Sequence, residues 1–423
     1  MKRNILVLIL VVLLGYRINL VGSISLTELY VILQIPTLCK WMNNLHFSDL
    51  KKLRNMFIML LFSQILSEFF LRNSWQNAVK GLMITIMTFF IILFFMREII
   101  AKKVSLITIP LGMILSLLIF GDQFGYAESG DENIFFKFYI VPLIMNGACI
   151  IFLLNKKWIN KNTVLIFLGA SMFMMIGGSR TGGFTMLLSL MLYLAAKQYK
   201  QLSWSKFLKV FIPLLIVGEL FYAFIYVPKV KSGEWGSEQN RTQMAVIDYS
   251  RNGLMLIMAA RHDFFVSLVA FMDEPLLGHG AWAKDETLKY ALLSAELADK
   301  NESQVISTVE YQGYPLVPIH SILVGMGTRN GILAFLLFFS IFVFVYKRAF
   351  RLLLSKPYAL PYVCYLIIAS IQAVLFSPPA ILKTNIAVMW AILMALYYFE
   401  MQNKNKLSTK QEDYEIINSD GNV

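Results

Sequence analysis

The sequence predicts an all-α polytopic membrane protein of about twelve transmembrane helices with one large outer loop that contains short helices. Three observations lead there. Of 423 residues, 57% are hydrophobic and only 15% are charged, against roughly 25% charged in an ordinary soluble domain. The apolar residues gather into runs close to the about 20 residues that a bilayer crossing needs. Lysine and arginine crowd every other short loop, the pattern that sets orientation in a membrane. The net charge of +12 would point to nucleic acid in a soluble chain; here the loop pattern accounts for it, and no nucleic-acid partner is expected. Cys39, Cys149 and Cys364 lie in or beside apolar runs without a C-x-x-C spacing, so neither a disulfide framework nor a zinc site is read.

The apolar runs fall at about 4–20, 23–38, 54–71, 79–96, 104–120, 138–154, 163–177, 183–196, 207–227, 331–346, 359–377 and 385–400. The start Met-Lys-Arg before Ile5–Leu14 resembles a signal peptide, but no small-residue cleavage site follows, so a retained first span is expected. With a cytoplasmic N-terminus, the inner loops hold Lys51, Lys52, Arg54, Arg97, Lys102, Lys103, Lys156, Lys157, Lys161, Lys197, Lys200, Lys347, Arg348 and Arg351. The short outer loops hold only Arg72, Lys80, Arg180 and Lys383, and segment 121–133 is acidic. Both termini then face the cytoplasm. The chain divides into nine helices over 1–227, a large outer loop over 228–330, three helices over 331–400 and a polar tail over 401–423, expected to be disordered.

A loop of this length is functional or disordered as a rule, and this one reads as partly folded. Its apolar stretches, Gly253–Ala260 and Phe264–Met272, are too short to cross alone and suit a helix on the membrane surface or packed on the bundle. Pro275 and Gly278-His279-Gly280 end that helix. Leu288, Ala291, Leu292 and Ala295 then recur at helical spacing among alternating charges. Farther on, Gly325, Gly327 and Arg329-Asn330-Gly331 interrupt an apolar run, predicting a short outer helix over Ile319–Met326 and a span that begins near Gly331.

Three positions stand out chemically. The first is Arg180, in the turn Gly177-Gly178-Ser179-Arg180-Thr181-Gly182-Gly183 between two short spans. An arginine at headgroup depth is costly unless paired. A phosphate suits its planar fork of donors, with glycine backbone N–H groups alongside; the bland alternative is a snorkelling anchor. The second is Arg261, between two apolar runs, facing a lipid headgroup or else paired with Asp263 or solvated at a helix end. Arg251 and Arg241 share its loop in less apolar surroundings. The third is His320, at the mouth of the bundle. An imidazole with an ordinary pKa of about 6.5 can accept a proton from a sugar hydroxyl, although a lone histidine is more often structural. His46, His262 and His279 show no ligand spacing, so no metal site is read. Nucleotide-binding and nucleophile-elbow strings are absent.

Taken in order, these strings resemble the O-antigen ligase and O-antigen polymerase superfamily of bacterial envelope enzymes. The resemblance rests on Ser179-Arg180-x-Gly182 between two spans and on Arg261 ahead of Pro275-Leu276-Leu277-Gly278-His279-Gly280 in a long outer loop. It continues in His320 and the glycine-rich start of the next span at Gly331. It covers about 163–346 by motif and the whole chain by span number. The family's His-Asn pair is His320-Ser321 here, and Thr328-Arg329-Asn330-Gly331 stands where an acidic residue precedes glycine.

The resemblance implies a multi-pass enzyme of the bacterial inner membrane: a metal-independent, inverting glycosyltransferase, without cofactor, whose large loop is periplasmic. Its donor would be an oligosaccharide on undecaprenyl pyrophosphate. Its acceptor would be either lipid A core, for a ligase, or a lipid-linked repeat unit, for a polymerase, with a lean to the polymerase. The implied catalytic set is His320, Arg261 and Arg180. Ser179, Arg251, His279 and Arg329 join the two arginines in holding pyrophosphate and sugar. A lipid-linked oligosaccharide flippase or other polytopic transporter is the alternative from another class; it would more often show short outer loops, mid-membrane charges and two related halves.

Overall fold

The computed structural model describes residues 2–20, 22–121, 135–154, 157–198, 222–235, 262–297, 313–355, 357 and 359–420. Among the described residues about 80% are helical, in 14 helices. In chain order these are α1 Lys2–Leu13, α2 Leu26–Asn44, α3 Ser48–Phe70, α4 Trp75–Ile100, α5 Thr108–Phe120, α6 Val141–Leu153 and α7 Lys157–Ile176. Then come α8 Arg180–Gln198, α9 Val227–Lys231, α10 His262–Asp273, α11 Lys289–Leu297, α12 Ile322–Leu354, α13 Leu360–Phe376 and α14 Ala387–Asp420. Among the described residues five helical segments are long and apolar enough to cross a membrane: Ser48–Phe70, Trp75–Ile100, Phe136–Leu153, Ile322–Leu354 and Pro379–Lys404. Thr108–Phe120, Lys161–Ile176 and Leu360–Phe376 are apolar but shorter. These are the helices of a membrane-embedded protein.

The centre of the bundle is α4 against α14, with α12 and α13 alongside. Where α4 and α14 face each other they bury large side chains, among them Phe94, Phe95 and Trp390. One hydrogen-bonded chain fastens three of the central helices: the Trp390 indole Nε1–H donates to the Tyr346 phenol at 3.2 Å, and the phenol donates to Ser370 Oγ at 2.8 Å. A polar atom in this apolar interior destabilises unless it finds a partner, so the triad fixes register as well as contact. The outward sides of α3, α7 and α12 leave Phe62, Leu165, Leu333 and Leu336 exposed, which suits helices facing lipid tails.

Side-chain pairs identify the two ends of the bundle. At one end Arg3 meets Glu98 and Arg348 meets Asp49. At the opposite end Lys383 reaches Ser23, Ser67 reaches Leu277 and Phe264 reaches Phe376.

Three local expectations are corrected. The first apolar run is not one helix over 4–20: α1 stops at Leu13, and Arg17–Leu20 pairs antiparallel with Gly22–Ser25. The hairpin is a small two-stranded exception in a fold consistent with all-α. Gly22, with φ of 89°, allows the tight reversal. Lys383, one of the few basic residues expected in an outer loop, ties this hairpin down, donating to the Ser23 carbonyl and pairing with Glu28, each at 2.7 Å. Helix runs through Pro228, from Tyr222 to Lys231, so the segment expected as the large loop opens with a helical turn. The expected short helix before Gly331 starts at Ile322 rather than Ile319, after Ser321 caps it by accepting from Val324 N–H. Finally, α14 runs to Asp420, into the segment expected to be disordered; its Lys, Gln and Glu residues are good helix formers.

Candidate functional site

The site region begins at a broken helix. Within α12 the backbone leaves helical geometry at Asn330 and Gly331, the latter at φ 75°. A break strands carbonyls and an N–H that need new partners, and the Pro275–Gly280 segment supplies them. His279 N–H donates to the Thr328 carbonyl and Gly280 N–H to that of Arg329, both at 2.8 Å, while Ile332 N–H donates to the Pro275 carbonyl at 2.7 Å. The approach is too close for side chains. A Cβ on Gly278 would lie 2.5 Å from the Arg329 carbonyl carbon, and one on Gly331 would lie 1.9 Å from the Leu276 oxygen. The two glycine signals, read separately as a helix end and a span start, are the two halves of one joint.

A carboxylate that the motif reading missed holds the joint. Glu68 on α3 is only 6% exposed. Its Oε1 accepts from Ala281 N–H at 2.9 Å and from Asn330 Nδ2 at 3.0 Å, and its Oε2 accepts from Asn73 Nδ2 at 2.6 Å. Next to it Ser67 Oγ donates to the Leu277 carbonyl at 2.6 Å, and one turn earlier Gln64 lies against the Met326 sulfur. The signal is present in the sequence as a polar stripe, Ser63, Gln64, Ser67 and Glu68, at helical spacing within an apolar span. Arg329, expected to bind pyrophosphate, lies beside this cluster. Its guanidinium stacks over the Trp282 ring at 4.5 Å, and its buried Nε has no hydrogen-bond partner among the described residues.

Helix α10 lies on the first half of α12. Phe271 packs onto Gly327, where a Cβ would come within 2.8 Å of its ring, and Thr328 Oγ1 donates to the Ser267 carbonyl at 3.0 Å. Against the other side of α10, Val266 and Ala270 share a small core with Tyr290 and Val317. Asp285 accepts from the N–H groups of Tyr290 and Ala291 at 2.8 Å each, capping α11. The N-terminal part of α10 and the strand-like chain before α12 converge at His320. Its backbone N–H donates to Ser267 Oγ at 3.3 Å, and its imidazole Nε2 lies 3.4 Å from Asp263 Oδ2. The His320 side chain is half exposed and that of Asp263 about a quarter exposed. Asp263, previously only a potential mate for Arg261, is thus the carboxylate beside the candidate base.

His279 has a different setting. Its Nε2 lies 2.8 Å from the Ala270 carbonyl, where it donates, and its ring meets Tyr290 edge-on. Tyr290 and Lys289 both donate to Asp273, at 2.8 and 2.7 Å. Those bonds, Lys289 first, hold the Asp273 carboxyl below its ordinary range; burial and then the Asp273 bond push the Tyr290 phenol up. This cluster secures the end of α10.

Arg180 is the first residue of α8, after Ser179 and after Gly178 at φ 90°. The expectation that glycine N–H groups of this turn present themselves beside the arginine is corrected for Gly177 and Gly178. Gly177, Gly178 and Ser179 donate to the carbonyls of Phe173, Met175 and Met174, closing the last turn of α7. Gly182 and Gly183 serve packing, since a Cβ on either would collide with Val141 or Met175. The Arg180 side chain is part-buried near Tyr226. Thr185 Oγ1 lies 2.7 Å from Gln372 on α13. Arg180 is about 7.5 Å beyond Thr185 along α8, and Phe376 about 6 Å beyond Gln372 along α13, at 1.5 Å per residue. Phe376 in turn touches Phe264, next to Asp263. Arg180 and His320 therefore share one end of the bundle, around the end of α13.

Arg261, Arg251 and Arg241 lie outside the described residues, as does the acidic segment 122–134. Among the described residues no group of three or more His, Cys, Asp or Glu side chains could hold a metal ion. Compared with protein-family models and with curated proteins, the chain matches none.

Proposed function

We propose that this chain is a membrane glycosyltransferase of the O-antigen ligase and polymerase type. It would move a glycan from undecaprenyl pyrophosphate onto an acceptor sugar hydroxyl at the periplasmic face of the bacterial inner membrane, within about twelve spans. One observation supports the reading above others. An arginine suited to a pyrophosphate and a half-exposed imidazole beside a carboxylate lie around the same end of α13.

In the proposed reaction the acceptor oxygen attacks the anomeric carbon from the face opposite the pyrophosphate. The new C–O bond forms as the bond to the phosphate oxygen breaks, which inverts the configuration. The acceptor proton passes to His320, and the electron pair leaves on undecaprenyl pyrophosphate. Arg180, with Arg261, faces the charge that develops there, so its attraction is stronger in the transition state than in the ground state. Arg329, Ser179, Arg251 and His279 remain proposed contacts to donor or sugar. Lipid A core and a lipid-linked repeat unit remain the two acceptors.

The test is reconstitution of the pure protein in liposomes with an undecaprenyl-pyrophosphate-linked oligosaccharide and either acceptor. A ladder of repeats marks a polymerase, and a single block on lipid A core marks a ligase. Activity should persist without ATP and with a chelator present. Oligosaccharide that crosses the bilayer with no new glycosidic bond would replace the enzyme with a flippase.

A further inference from the structure

We infer that Asp263 is the positioning residue of His320, holding the imidazole as the Nε2–H tautomer so that the Nδ1 lone pair is the base. The inference rests on the function proposed above and names which nitrogen acts and what aims it. Asp263 and Ser267 stand one turn apart on α10 and grip His320 at two points. Ser267 Oγ accepts the His320 backbone N–H and shares its one proton between the Pro318 carbonyl at 2.8 Å and the Asp263 carbonyl at 2.7 Å, which pins the backbone around residue 320 to the helix. The Asp263 carboxylate faces the ring. Its Oδ1 accepts from Ser294 Oγ on α11 at 2.9 Å, which turns Oδ2 toward His320 Nε2.

The 3.4 Å separation exceeds an N–H···O bond of 2.7–3.2 Å, and catalytic contacts of this kind commonly tighten once substrate is bound. A carboxylate can only accept, so a neutral imidazole must present N–H to it, and the lone pair then resides on the other nitrogen. The half-exposed ring can offer that nitrogen to a hydroxyl at the surface. His279 cannot take this role, because its Nε2 is committed to a helix carbonyl, and His46 lies at the other end of the bundle beside Phe47 and α3. The proton balance is simple: Nδ1 takes the acceptor proton, and the resulting imidazolium is stabilised by Asp263, which keeps its charge.

The experiment uses the full chain in detergent and in liposomes. With only four histidines in the sequence, imidazole ¹⁵N labelling resolves His320 by comparison with His320→Gln. Wild type should show the Nε2–H tautomer at neutral to mildly alkaline pH. Asp263→Ala should give a tautomer mixture and lower kcat by about 10- to 10³-fold, a part of the roughly 10²- to 10⁴-fold that general-base catalysis contributes, with KM for the lipid-linked donor changed less than threefold. Asp263→Glu should recover most of kcat. Ser294→Ala should have a smaller effect in the same direction, as the carboxylate loses its restraint.

Wild-type kcat in a folded Asp263→Ala protein, or an Nδ1–H tautomer in wild type, overturns the inference. The tautomer is read without turnover. A preparation that transfers no sugar therefore counts against glycosyl transfer, while the tautomer still decides whether Asp263 sets the proton on His320.

Discussion

Asp273 sits at the C-terminal end of α10, where the helix dipole disfavours an anion, and bonds from Lys289 and Tyr290 offset that. Its folded-state pKa is lowered, so its contribution to stability is full above the ordinary aspartate value of about 3.9 and is lost as pH falls through the lower folded value. Tyr290 has the opposite sign. Its pKa is raised, first by burial, so its contribution is full below about 10 and is lost as pH rises through the higher folded value. Melting temperature in detergent should therefore fall at the acid end, and Asp273→Asn should flatten the decline below about pH 4; an unchanged acid limb would show that Lys289 and Tyr290 contribute nothing there. The other residue-scale expectation concerns Arg180. Arg180→Ala should abolish transfer with near-normal protein level, and Lys should restore it only partly, because an ammonium keeps the charge but loses the planar fork. Full activity in Arg180→Ala, read on the product gel, would remove it from the pyrophosphate site. The sequence exposes Arg180 as an arginine in a glycine turn between short spans. It does not expose the use of the turn's N–H groups, since the helix end that consumes them is defined only by where α7 stops.

At the scale of elements, the broken α12 and the chain that mends it act together. Gly331 has φ of 75° and a backbone oxygen where its Cβ would be. Gly331→Ala should cost about 1–3 kcal/mol in backbone strain, with the collision added, and should lower the melting temperature. Asn330→Ala removes one donor to Glu68 and should cost about 1 kcal/mol. Glu68→Ala leaves the N–H of Ala281 and the amides of Asn73 and Asn330 without their acceptor and should be the most damaging of the three. Thermal unfolding of the purified variants checks the order; Glu68→Ala as stable as wild type would show that the carboxylate does not hold the joint. The break itself is legible from Arg329-Asn330-Gly331. The role of Pro275–Gly280 is not, because a glycine that ends one helix and a glycine that admits another segment look alike until the two segments are side by side.

At the scale of the molecule, the ends of the bundle invite a direct test of orientation. Cys149 and Cys364 are buried, so replacing half-buried Cys39 leaves a background suited to labelling. In cells with only the outer membrane permeabilised, cysteine at Ser232 should react with a membrane-impermeant reagent and cysteine at Ser355 should not; equal labelling would overturn the proposed orientation, in which the site faces the periplasm.

The sequence by itself determines that the chain is membrane-embedded and helical, because the length of an apolar run and the spacing of charged loops are local properties that need no partner. It also determines where the backbone must break, because glycine and asparagine act on their own residue. Only the tertiary structure decides which polar groups meet. Glu68 and Asn330 are 262 residues apart, and Asp263 faces His320 only because α10 lies against the first half of α12. The same holds for the hairpin at Arg17–Ser25, which an apolar run concealed and which Lys383, from the far end of the chain, secures. In a low-dielectric interior a polar group must find a partner wherever the fold brings one, and no spacing along the chain specifies which residue that is.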